Sequence, residues 1–87
     1  MQLNENFVLR QVADVWIVLP LGDATVSFDG MLKLNETGVF LWRQLEQGAD
    51  LEKLIQALTG EYEVTQERAR ADVIAFLEKL ARIGCLN

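Results

Sequence analysis

Chemistry in this chain would have to come from carboxylates, because its 87 residues include 13 Asp and Glu, one cysteine and no histidine. Two carboxylates can serve as general acid and base when their surroundings drive their proton affinities apart. Glu61 and Glu63, flanking Tyr62, come nearest to such a pair. Their place at a helix end makes them solvated surface residues instead, since carboxylates are seldom buried without partners. Asp14, Asp23 and Asp29 each fall in a turn, where the side chain serves the local backbone. They lack the dense ligand spacing of a calcium loop. Ser27, the single serine, has neither an imidazole base nor a Ser-x-x-Lys pattern around it.

A zinc site lacks its ligands when Cys85 is the only thiol and no imidazole exists. The six glycines stand apart at turns and helix ends and form no phosphate-binding loop. Cys85 reads as a small apolar core residue, with Arg82 the only basic neighbour that could lower its pKa. Trp16 and Trp42 read as core anchors. The expectation is a protein that is not an enzyme and holds no cofactor or metal.

Composition bounds the rest. A chain of this length makes one domain, 1–87, with barely enough interior for a single core. At 51% hydrophobic it lies in the folded regime. Its stability margin is small, and dimerisation or another partner would add to it. The net charge is −5, with Lys and Arg scattered singly. That disfavours nucleic acid, whose binding replaces condensed counterions with a stripe of cations. No signal peptide is visible, and the longest uncharged apolar stretch, Val15 to Gly22, is too short to span a bilayer. The expected location is the cytoplasm.

Residues 7–12 (FVLRQV) mix apolar and polar positions as a half-exposed strand does. A two-residue turn, Ala13-Asp14, leads into 15–19 (VWIVL), apolar throughout and rich in β-branched residues, the mark of a strand covered on both faces. Pro20 closes it. Gly22-Asp23 reads as a loop, Val26-Ser27-Phe28 as an extended piece, Asp29-Gly30 as a hairpin turn, and Met31–Leu34 as a third, edge strand. Asn35, Asp50 and Thr65 then cap three helices in turn. The first ends at Gly48, the second near Gly60 and Tyr62, and the third before Gly84. The third carries Ala69, Val73, Phe76, Leu77, Leu80 and Ile83 on one face. Gly38 in the first turn of the first helix costs ~1 kcal/mol relative to alanine, which calls for the close approach of another backbone, that of the strand ending at Leu34. Three strands followed by three helices predict an α+β fold, with the last two helices spaced as a helix-turn-helix and the antiparallel sheet as its wing.

Two surfaces remain that could bind something. One is the strand Met31, Leu32, Lys33, Leu34, unpaired along one edge. The other is the flank of the last helix made by Arg70, Ile74, Leu77, Glu78 and Ala81. Together they could form a groove that an extended peptide enters by β-addition, in which case Leu32→Pro would remove a ladder N–H. Equally, both surfaces could be covered within the fold or by a dimer.

The run Leu34-Asn35-Glu36-Thr37-Gly38 with Phe40, Trp42 and Gly48 resembles the signature of the PqqD-like family. Asp50-Leu51-Glu52-Lys53-Leu54, Tyr62, Arg68-Ala69-Arg70-Ala71-Asp72-Val73 and the closing Gly84-Cys85-Leu86 extend the resemblance over about residues 7–87. It implies a winged helix-turn-helix domain that binds the leader region of a ribosomally made precursor peptide. The leader would add as a strand to Met31–Leu34 and pack on the Arg70–Ala81 flank. It also implies a modifying partner, often a radical S-adenosylmethionine (SAM) enzyme of the SPASM kind. The alternative on the same fold is a DNA-binding regulator. Against it, the third helix interleaves Arg68, Arg70, Lys79 and Arg82 with Glu67, Asp72 and Glu78.

Overall fold

The computed structural model describes residues 2–22, 25 and 31–87. The first two strands, β1 (Phe7–Val12) and β2 (Val15–Pro20), form a hairpin around Ala13-Asp14. Ala13 takes a positive φ of 55°. A two-residue hairpin turn needs such a residue at its first central position to match the twist of its strands. The third strand, β3 (Leu32–Leu34), pairs antiparallel with β2 and completes a sheet ordered β1-β2-β3. Three helices follow among the described residues: α1 (Glu36–Glu46), α2 (Leu51–Glu61) and α3 (Gln66–Arg82). The expected extended piece Val26–Phe28, the turn Asp29-Gly30, Asp23 and Ser27 lie outside the described residues.

Each helix opens on its expected cap. The Asn35 Oδ1 accepts from the Gly38 N–H at 2.8 Å, the Asp50 Oδ1 from Lys53 N–H at 2.9 Å, and the Thr65 Oγ from Arg68 N–H at 3.1 Å. These bonds satisfy first-turn donors that have no partner within the helix. Gly48 and Gly84 take positive φ, 88° and 89°, just beyond the ends of α1 and α3, where the chain reverses.

The sheet buries one face against the helices. Leu9, Val18 and Leu32 form one cross-strand row, and Trp16 and Leu34 another. With Phe7 they meet Leu41, Trp42 and Leu45 of α1, Leu54, Ile55 and Leu58 of α2, and Ala69, Val73 and Leu80 of α3. Phe76, Leu77 and Ile83 pack against this cluster while half-exposed, so the expected inner face of α3 is the one the fold uses. On the other face of the sheet Ile17 is 6% exposed, in a row with Arg10 and Lys33. β2 therefore buries Ile17 on one face and Val18 on the other, while Val15 at its start stays exposed.

Gly38 is where strand and helix meet most closely. A β-carbon there would stand 3.3 Å from the Leu34 side chain and 3.3 Å from the Asn35 Oδ1. The close neighbours are a leucine side chain and the capping group, and not a strand backbone as the sequence suggested. The cap thus joins β3 to α1 within four residues. Asn35→Ala should lower stability by about 1 kcal/mol, on the order of 4–8 °C in a domain of this size, while Asn35→Ser retains most of it. Thermal unfolding followed by circular dichroism measures the difference.

Candidate functional site

Backbone polar groups must find partners, so the two free edges of the sheet are the first places to look. In a two-residue hairpin the flanking pair, Val12 and Val15, exchanges both hydrogen bonds, and exchanging pairs then recur at every second residue. Arg10 with Ile17 and Val8 with Leu19 follow, and Leu21 N–H donating to the Asn6 carbonyl at 2.6 Å continues the series. Trp16 and Val18 must then direct their backbone groups to β3, where they face Leu34 and Leu32. By the same alternation the N–H and C=O of Lys33 point out of the sheet.

The two edges are finished differently. On β1 the outward carbonyl of Leu9 accepts from the Arg10 guanidinium at 3.0 Å, placing a bulky cation across that edge. Charged side chains on an edge oppose further strand pairing. On β3 the outer edge opens on a cavity of about 660 Å³ lying between Lys33, Leu34 and the start of α1 on one side and α3 on the other. Leu34, Leu41 and Phe76 give it an apolar floor, and Arg68, Asp72, Ala75 and Lys79 line its α3 wall.

Of the β3 residues singled out in the sequence, Lys33 and Leu34 line this cavity. Leu32 is half-buried against the core, and Met31 is 59% exposed just before the strand. The five α3 residues are placed elsewhere. Arg70 forms an ion pair with Glu52 of α2 at 3.0 Å. Ile74, Glu78 and Ala81 are exposed and Leu77 is half-buried. None of these five lines the cavity. At about 100° per residue they occupy the flank of α3 turned toward α2, whereas Arg68, Asp72, Ala75 and Lys79 occupy the flank beside β3. Both flanks border the same apolar face, so periodicity alone does not separate them. The α3 residues that line the cavity were signalled in the sequence only by their place, four residues apart at 68, 72 and 76 and at 75 and 79.

Among the described residues, no cluster of three or more His, Cys, Asp or Glu could hold a metal ion. Cys85 is fully buried, and burial pushes its thiol from an ordinary 9.0 up to about 12. Its carbonyl accepts from the Asn4 N–H and its N–H donates to the Leu80 carbonyl. Trp42 is buried, its indole N–H donating to the Glu46 carboxylate at 3.3 Å. Trp16, half-buried, lies under the Arg43 guanidinium at 5.5 Å from the ring centre. No helix among the described residues is long and apolar enough to cross a membrane.

A raised folded-state pKa means the buried neutral thiol favours the native state. That contribution is full below pH 9 and is lost as pH rises toward 12. The native protein at pH 8 should therefore resist thiol labelling with Ellman's reagent, and the label should enter at the rate of global unfolding.

Comparison with known proteins agrees with this architecture. A structure described as TbiB1 in complex with the TbiA(beta) leader peptide superposes with a TM-score of 0.83 at 25% identity, covering 100% of this chain and 95% of that one. A lasso peptide synthetase B1 complexed with the leader peptide gives 0.80 at 24% identity, covering 99% and 95%. No curated protein matches. The family model for coenzyme PQQ synthesis protein D matches residues 16–86, from the second residue of β2 to the last but one of the chain. The chain belongs to the PqqD family.

Proposed function

We propose that this protein is a non-catalytic binder of the leader region of a ribosomally synthesised precursor peptide. The leader adds as a strand to the outer edge of β3 and lies in the groove between β3 and α3. One observation carries the reading: the backbone of Lys33 faces outward over an apolar floor, while the opposite edge of the sheet is blocked by Arg10. Strand addition draws affinity from main-chain hydrogen bonds and selectivity from alternate side chains entering the cleft. Met31, Lys33 and Leu34 supply the strand side. Arg68, Asp72, Ala75, Phe76 and Lys79 supply the helix side, in place of the Arg70–Ala81 flank. The structural neighbours, by their descriptions, are themselves complexes with leader peptides. The ion pairs Arg68–Asp72 and Arg70–Glu52 weigh against a DNA-binding role, since both arginines already hold carboxylates. The domain would present the bound peptide to a modifying enzyme of the radical SAM type.

Isothermal titration with the synthetic leader of its cognate precursor should show saturable 1:1 binding. Lys33→Pro removes the outward N–H without touching the β2–β3 ladder and should abolish that binding with helix content unchanged. Leu32→Pro would instead break the sheet's own pairing. Full affinity in the Lys33 variant would sink strand addition at this edge. Turnover of the precursor by a cognate radical SAM enzyme should rise when this protein is added, and equal turnover without it would remove the presenting role.

A further inference from the structure

The groove has a charge opposite to that of the chain around it. Lys33, at its β3 rim, joins Arg68, Lys79 and one carboxylate, Asp72, around the groove, a local balance of +2. The whole chain carries −5, so the residues outside the groove carry −7. Arg68 holds Asp72 at 3.1 Å, whereas Lys33 and Lys79 form no ion pair with any described residue.

The two lysines also stand on opposite sides of the place an added strand would occupy. Lys33 projects from the outer face of the sheet, in the row with Ile17 and Arg10, and Lys79 stands on the helix wall of the inner side. A strand laid along β3 turns successive side chains to those same two faces. The residue directly opposite Lys33 turns outward beside its ammonium. The residues on either side of it turn inward, toward Leu34, Leu41 and Phe76 and within the field of Lys79.

Resting on the leader-binding reading above, we infer that the groove selects an anionic, amphipathic segment. Such a segment places a carboxylate across from Lys33 and apolar neighbours on the floor, with further negative charge drawn toward Lys79. Opposite charges directly across a ladder stabilise the pair, and like charges there destabilise it. The net negative charge of the rest of the chain disfavours such a peptide elsewhere. Affinity and rejection therefore work together to place it.

The test uses the synthetic leader of the cognate precursor and a second version with its Asp and Glu replaced by Asn and Gln. Each is titrated into the wild-type protein and into Lys33→Glu and Lys79→Glu. Both lysines are exposed, so the variants should fold, and circular dichroism checks this. Each charge reversal is expected to raise Kd about tenfold. Raising KCl from about 50 to about 500 mM should weaken the native leader severalfold and leave the amide version nearly unaffected. Wild-type affinity in both reversals, or a native leader indifferent to salt, overturns the charge assignment and leaves leader binding standing. A wild-type protein that binds neither leader overturns leader binding and this inference with it.

Discussion

The constraint from which the structure follows is that a strand has two sides and β3 has a protein partner on only one of them among the described residues. Main-chain donors and acceptors are obligatory hydrogen-bonding groups, and those of Lys33 have water to turn to unless another chain arrives. Such an edge invites aggregation unless it is kept short or guarded. Here it is kept to three residues and set beside a helix. The small size of the edge limits what can bind: a passing strand gains few ladder bonds and must also fit the side-chain floor.

That edge runs directly into the turn that opens α1. Leu34 is the last strand residue, Asn35 the cap, and Gly38 the helix residue packed close to both. The helix wall is held separately. α3 packs Ala69, Val73 and Leu80 into the core, while Arg70 ties it to Glu52 of α2. That pair is exposed and contributes little energy. It lies on the flank of α3 away from β3.

Much of this was legible in the residues. The hairpin, the three caps and the inner face of α3 follow from local signals: period two with a turn, Asn, Asp and Thr before apolar runs, and spacing of three and four. Such signals need no knowledge of distant parts of the chain. What was not legible depends on docking. Which flank of α3 faces β3 is set by how the helix crosses the sheet, and Ile74 and Ala81 widened the apolar arc on the side that meets α2 and not β3. The outward direction of Lys33 likewise needed the register, which gives the exchanging pairs to Leu32 and Leu34.

Least legible of all is the meeting of the two ends. Leu3 and Leu86 form an isolated bridge, Asn87 N–H donates to the Gln2 carbonyl, and the Asn4 side chain donates to the Gly84 carbonyl at 3.1 Å. No periodicity joins residues so far apart in sequence. Because these ends lie side by side on the β1 side of the molecule, the fold is nearly a closed loop. Residues 2–4 and 84–87 thus bring the chain in and out of the fold at one place, apart from the β3 mouth.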